Sequence, residues 1–240
     1  MPRFAYDLHI HSCLSPCGDN AMTPPNIVNM AVLKGLELIA VTDHNSARNA
    51  RAVIRAARGL PLKVLAGLEA TCAEEIHMVC LFPDADKAEA AGAFFEKHLP
   101  PVVNRPEYFG EQLEMDENER ISSRFPYLLP NALDISIDRL PELVCAFGGF
   151  CYPAHIDRQS NSILPVFGGM PDRPVFQTVE VFDPERFFKA KENLHFQHAY
   201  RVVTSSDAHR LADISERAHF IELERPDFES LRQVLCPEML

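Results

Sequence analysis

The chain has 240 residues, 47% hydrophobic and 24% charged, proportions of a soluble globular protein rather than a disordered or fibrous one. Its formal net charge of −11 argues against a stable duplex nucleic acid partner, which needs Lys and Arg to displace counterions, although bound cations would invert the field at one site. No apolar run approaches the roughly 20 residues of a membrane helix, and the opening MPRFAYDLHI lacks the apolar core of a secretion signal. The seven cysteines, Cys13, Cys17, Cys72, Cys80, Cys145, Cys151 and Cys236, are scattered, which reads as reduced thiols in a cytoplasmic protein.

In chain order, short apolar runs predict strands at 4–10, 37–43, 62–69, 76–82, 149–155, 176–182 and 201–206. Helical patterns fill 24–34, 46–58, 85–98, 135–147, 184–198 and 227–235. Thr23 followed by Pro24 and Pro25 marks a helix start and Gly35 its stop; Ser136 reads as a second such opening. About seven near-continuous apolar strands alternating with helices predict an α/β fold with a parallel sheet, covered on both faces or closed into a barrel. One domain over 1–240 accounts for the pattern. Residues 99–132, rich in Pro and acidic residues, interrupt it as a long excursion, and connections of that length are commonly functional or mobile.

The polar residues fall in register with these strands. His9 and His11 alternate, so they leave one face of the first strand. Asp43 and His44 end the second strand, Glu69 the third, and His77 lies in the fourth. His155 ends the fifth, and Asp207 and His209 the seventh. Taken singly, each has a plain structural explanation: an edge histidine, a helix cap, a solvated strand end. Jointly, six of the ten histidines with Glu69 and Asp207 arrive at strand ends that a parallel barrel places on one rim, where active sites are assembled. Burying that many ionisable groups together without a cation is costly, so the pattern reads as a metal site.

The ordered motifs DLHIHS, VTDHN, GLEA, IHMV, PAHID and SSDAH resemble those of the PHP (polymerase and histidinol phosphatase) family over residues 7–209. The resemblance implies a distorted, TIM-like (β/α)7 barrel, two to three divalent metals (Zn, Mn or Fe) and hydrolysis of phosphate esters by a hydroxide bridging metals at the C-terminal rim. It assigns His9, His11, Glu69 and Asp207 to one metal, Glu69 with His77 and His155 to a second, and His44 with His209 to a third. Many members complete the third site with an Asp where this chain has Pro16, and some with a His one residue later, where Cys17 stands. Cys17 would make that site softer, favouring Zn or Fe over Mn; otherwise Asp19 reaches in, or the site is empty. Cys13 reads as packing.

In this reading Asp43 orients a neighbouring imidazole, and Asp207 or His209 helps the leaving oxygen depart. Arg158, three residues past His155, grips phosphate. Glu180 near the sixth strand end is either a support for the site or purely structural. Arg48, Arg51, Arg55 and Arg58 share one helical face, read as a solvated outer surface rather than a rail for an oligonucleotide. His98, His195, His198 and His219 fall outside the pattern. The excursion is expected to act as a lid whose Glu111, Glu114, Asp116, Glu117 and Glu119 repel long polyanions. The expected substrate is therefore a small phosphomonoester, a nucleotide or a short oligonucleotide. Two other readings use the same residues: a metal-dependent amidohydrolase or esterase, and a non-catalytic metal-binding module. Neither the natural substrate nor the oligomeric state follows from the sequence.

Overall fold

The computed structural model describes residues 1–237. Its central sheet contains β1 (Arg3–Ile10), β2 (Leu38–Val41), β3 (Lys63–Thr71), β4 (His77–Phe82), β7 (Phe150–Pro153) and β10 (Phe220–Glu222), in the order β10-β1-β2-β3-β4-β7. A separate parallel pair, β8 (Thr178–Glu180) and β9 (Arg201–Val203), spans the gap between the two sides of this curled sheet. Ile156 N–H donates to the Glu180 carbonyl at 2.8 Å on one side, and His11 N–H to that of Ala208 at 2.9 Å on the other. The seven expected strands correspond to β1–β4 and β7–β9, and the α/β half-barrel matches the expected class. β10 and the hairpin of β5 (Leu113–Met115) and β6 (Ile121–Arg124) were not foreseen.

The sheet is mixed rather than parallel. β1–β2 and β2–β3 are parallel, but β3–β4, β4–β7 and β1–β10 are antiparallel. Only residues 72–76 join β3 to β4, and a parallel crossover needs a dozen or more. His77 is consequently the first residue of its strand, and reversal of that strand returns it to the rim where β3 ends.

Helices α1 (Pro24–Leu33), α2 (Ala50–Ala56), α3 (Ala85–Phe95) and α5 (Leu140–Ala146) cover the outside. Thr23 caps α1, its hydroxyl accepting from Asn26 N–H, as the Thr-Pro-Pro signal predicts. α5 starts at Leu140, with Pro141 in its first turn, later than the Ser136 expectation. Residues 184–198 break into α7 (Pro184–Lys189), a 3-10 turn and α8 (Phe196–Ala199). α9 (Phe228–Leu235) buries Phe228, Leu231 and Leu235 against the inner core at the end opposite the histidines.

Strand parity divides the core. Tyr6, Leu8, Leu38, Ala40, Leu65, Val79, Leu81, Phe150 and Tyr152 fill the inside, while Ala5, Ile10, Ile39, Val41 and Val64 pack outward on α1 and α2. In β3, positions 65, 67 and 69 keep inward parity, which brings Glu69 inside. A Cβ at Gly67 would lie 2.8 Å from the Cys80 carbonyl and 2.9 Å from Thr42 Cγ2, so only glycine fits where the interior narrows. In β1 the parity changes: Tyr6 and Leu8 face in, Ile10 faces out, and the β1–β2 register shifts between Asp7 and Ile10. This irregularity turns His9 and His11 to the inside, a common use of bulges beside active sites.

The 99–132 excursion is ordered by its own small core. Cys13 packs with Leu113 and Met115, and Leu14 with Phe125 and Leu129. It props the 12–18 loop from outside. Gly110, at φ +97°, lies so close to Pro16 that a Cβ would sit 2.0 Å from its carbonyl oxygen. Gly110→Ala is expected to destabilise the fold by about 1–3 kcal/mol, read as a lower urea midpoint at unchanged slope; an unchanged midpoint would show that the excursion does not bear on this loop.

Candidate metal centre

Six imidazoles and two carboxylates meet at the open rim. Glu69 is their hub. Its Oε1 lies 3.1 Å from His9 Nε2, 2.9 Å from His77 Nδ1 and 3.2 Å from His155 Nε2. Its Oε2 lies 3.0 Å from His44 Nδ1 and 3.5 Å from His11 Nε2. Asp207 Oδ1 stands 3.1 Å from His11 Nε2 and 3.4 Å from His9 Nε2. Three groups bring one ligand atom each within 4.8 Å of one another: His9, His11 and Glu69; His44, Glu69 and His77; His11, His44 and His209. The rim is also strained. His155 (φ +28°), Asp207 (φ +50°), Asn45 (φ +50°) and Asn161 (φ +55°) all have positive φ without being glycine, a cost that functional sites often carry.

Partners on the far sides of the rings fix where the protons sit. His9 Nδ1 lies 2.9 Å from Glu180 Oε1, and a carboxylate only accepts, so His9 donates there and its neutral form keeps the lone pair on Nε2. Ser15 Oγ gives its one proton to Asp43 at 2.7 Å and therefore accepts from His11 Nδ1 at 3.0 Å. Ser162 donates to a carbonyl and so accepts from His155 Nδ1 at 3.2 Å. His209 Nδ1 donates to the Asp207 carbonyl at 2.8 Å. The Nε2 atoms of His9 and His11 thus face each other at 3.2 Å beside two carboxylates, and although burial opposes it, the charges of Glu180, Glu69 and Asp207 raise the His9 imidazole well above its usual range.

This edge favours positive charge, and it fits a cation. His44 Nδ1, Glu69 Oε2 and Asp207 Oδ1 are buried and make no well-formed hydrogen bond among the described residues, lying at ion-pair distance from other rim groups instead, although buried polar atoms are nearly always satisfied. Histidine metal ligands characteristically donate the other ring N–H to a carboxylate, carbonyl or similar acceptor, the pattern found at His9 and His209. Electrostatics agree. Burial works to raise the Glu69 carboxyl, yet the surrounding His77, His9, His155 and His44 hold it well below the usual range. Burial and the neighbouring His209 and His44 hold His11 well below the usual imidazole range, leaving it neutral and able to ligate.

Cys17 reaches the same rim, its Sγ 3.2 Å from His44 Nε2. Desolvation opposes ionisation of the thiol, but His44 and His209 outweigh it and bring the pKa down to about 6, inside the range of reactive and metal-binding thiols. Asp19 turns away: its Oδ1 accepts Ala21 N–H at 2.8 Å within its own loop. Beside the histidines lies a cavity of about 160 Å³ bordered by Glu69, Arg158, Asn161 and Asp207, with Arg158 Nη1 3.1 Å from Asp207 Oδ2.

Residues 7–115 match the model of the PHP domain. That match, just under half of the chain, makes residues 7–115 similar to a PHP domain. No curated protein matches it significantly. Among solved structures, the lesion-specific endonuclease Q of Pyrococcus furiosus is 16% identical with a TM-score of 0.68, over 98% of this chain and 56% of its own. The chain thus spans little more than half of that enzyme. A protein of Bifidobacterium adolescentis inferred to be a metal-dependent phosphoesterase is 18% identical over 96% and 95% of the two chains, TM-score 0.59. A Chromobacterium violaceum amidohydrolase with bound sulfate is 18% identical over 93% of each chain, TM-score 0.58. At these identities the likeness concerns the PHP fold.

All eight strand-end residues expected from the sequence meet at this rim, and Cys17 joins them. Asp43 differs from expectation in route: it touches no imidazole side chain, accepting instead from Ser12 N–H (2.7 Å), Ser12 Oγ (2.6 Å) and Ser15 Oγ, so it reaches His11 only through Ser15. Glu180 supports two ligands at once, taking His9 Nδ1 and His155 N–H (3.0 Å) on one oxygen. Asp7 was missed. Buried beneath the rim, it accepts from Ser206 N–H, Ser206 Oγ and Ser215 N–H at 3.0, 2.6 and 2.9 Å and so sets the loop bearing Asp207; the strand's period of two gave no sign of it.

Three of the four arginines in the row are ion-paired. Arg48 pairs with Glu96 and Glu114, Arg51 with Asp86 and Glu89, and Arg55 with Glu117 at 3.6 Å. The acidic run is largely engaged as well, with Glu111 on Arg124 and Glu119 on the Thr23 hydroxyl, and no residue of 99–132 lines the cavity. The excursion therefore stands here as a buttress beside the site, not over it. His98 lies half-buried, away from the rim, with its Nδ1 2.6 Å from Asp134 Oδ1. Glu180→Gln is expected to weaken metal retention about 10- to 100-fold, measured by competition with a calibrated chelator, while folding is retained; unchanged retention would remove Glu180 from the site.

Proposed function

We propose that this protein is a metal-dependent phosphoesterase. The observation that carries the reading is the pair of facing Nε2 atoms of His9 and His11, 3.2 Å apart and flanked by Glu69 and Asp207. His9, His11, Glu69 and Asp207 would hold one divalent ion, Glu69 with His77 and His155 a second, and His44, His209 and Cys17 a third. The sulfur favours Zn or Fe over Mn there. Bound ions would supply an activated water near neutral pH and offset charge developing on a phosphoryl group.

The chain's own groups supply the rest. Arg158, at the cavity edge and fixed by Asp207, would grip non-bridging phosphate oxygens. His209, with a side chain 27% exposed, is the most solvent-facing rim imidazole and the group placed to pass a proton to a leaving oxygen when it is not holding a cation. The substrate is a small phosphorylated molecule or a nucleotide unit. A duplex partner such as endonuclease Q takes is disfavoured by the −11 charge and by the ion-paired arginine row. Free thiols throughout fit a reducing, cytoplasmic setting, and among the described residues no helix is long and apolar enough to cross a membrane.

Amide hydrolysis would use the same ligands, and the amidohydrolase among the structural neighbours keeps that reading alive. Arg158 is what favours phosphate. Protein purified without chelators should contain two to three equivalents of Zn, Fe or Mn by elemental analysis, and Cys17→Ser should lower Zn content by about one equivalent. A panel of phosphomonoesters, nucleotides, short oligonucleotides and acyl-amino acids should show turnover of phosphate esters only. Arg158→Ala should lower kcat/KM on them by about tenfold or more, the cost of a charge-assisted hydrogen bond. Turnover of acyl-amino acids alone would transfer the protein to the amidohydrolase reading, and inactivity despite full metal loading to a binding module.

A further inference from the structure

A second, larger cavity of about 420 Å³ adjoins the metal cavity, and Arg158 lines both. Its wall is a flat π surface. The Arg158 guanidinium lies 4.1 Å from the centroid of the Phe182 ring, and Phe182, the second residue after β8, remains 40% exposed. An exposed phenylalanine one step from a polar catalytic rim serves no packing need.

The loop that carries this surface is rigid. Asp157 accepts from Phe182 N–H at 2.7 Å and Asp183 N–H at 2.8 Å, and Asp183 accepts from Arg186 N–H at 2.9 Å as the cap of α7. Arg186, also on the wall, has no carboxylate within ion-pair distance among the described residues. Charge decides what the cavity suits. Arg158 already faces Asp207, and Asp157 and Asp183 set two negative charges against the one left on Arg186. That balance disfavours a second phosphate and suits an uncharged polar ring. Asn193 donates its amide N–H to the Phe187 carbonyl at 2.9 Å, leaving its amide oxygen as an acceptor for such a ring.

We propose that this cavity seats the nucleoside part of a nucleotide whose phosphate lies among the histidines, the base stacking on the Arg158–Phe182 surface. The inference rests on the phosphoesterase reading for its substrate, but not for its binding. Bases stack on aromatic and guanidinium planes with little sequence preference, so the site selects nucleosides as a class.

The test compares the 3′- and 5′-monophosphates of the four common ribonucleosides with ribose 5-phosphate on the metal-loaded protein, and measures binding of the four free nucleosides by calorimetry. Wild type should favour the best nucleotide over ribose 5-phosphate at least tenfold in kcat/KM and bind its nucleoside. Phe182→Ala should shrink that preference about 5- to 150-fold, the range of a lost base–aromatic stack, chiefly through KM, and Phe182→Tyr should restore it. A preference near one without nucleoside binding, or a preference that survives in Phe182→Ala, overturns the inference. Turnover of ribose 5-phosphate in that case leaves the phosphoesterase reading standing. Nucleoside binding that is lost in Phe182→Ala, with no ester hydrolysed, upholds the cavity and sinks the phosphoesterase reading instead.

Discussion

Two imidazole nitrogens held 3.2 Å apart between buried carboxylates are the constraint on which the rest of this molecule depends. Buried carboxylates and ring nitrogens crowded together in a low-dielectric interior favour positive charge between them. The groups behind the rings fix that state. Glu180, the Ser15–Asp43 pair, Ser162 and the Asp207 carbonyl each take up a ring proton or hold the group that does, and so aim the other nitrogen at Glu69 and Asp207. A site organised in this way is preorganised for cations and costly without them.

The fold supports that cost with two unlike ends. At the closed end, Tyr6, Leu8, Phe150 and Tyr152 fill the interior against α9 with apolar packing. Moving toward the rim, Gly67 narrows the interior and Glu69 follows it on the same face. At the rim the backbone departs from regular conformations at Asn45, His155, Asn161 and Asp207. Apolar burial below stabilises strained, polar geometry above, a division that lets a marginally stable chain hold a demanding site.

The surroundings divide in the same way. The 12–18 loop that brings Cys17 to His44 is wedged by the hairpin of the excursion, through Cys13 and Leu113 and through the Gly110–Pro16 contact. Much of the acidic surface that dominates the net charge is spent on ion pairs with Arg48, Arg51, Arg55 and Arg124. What stays open at the rim is Arg158 and, beyond it, the Phe182 cavity.

Much of this was legible in the sequence because ligands must stand at fixed positions along strands: the residues of DLHIHS, TDHN, GLE, AHID and SDAH each follow from where a strand ends. Cys17 could be named, with Asp19 as its alternative, because it stands where some members of the resembled family place a third-site histidine. Asp7 and the route from Asp43 to His11 were not legible. They act across contacts between segments far apart in sequence, and a buried Asp in a strand gives no periodic signal of its partner. The direction of β4 was implicit in the short link 72–76 but hidden by a pattern in which buried parallel and antiparallel strands look alike.

The strand period by itself determined that His9 and His11 share a face. Which face it is, only the tertiary structure decided. Continued from Tyr6 and Leu8, the regular alternation would send both histidines out against α1 and α2; the register shift between Asp7 and Ile10 turns them inward instead. That shift is set by the pairing of β1 with β2 and by the Asp7 contacts with Ser206 and Ser215, nearly two hundred residues away. Local sequence fixes spacing, but the side of a sheet on which a residue lands depends on neighbours that only the folded chain brings together.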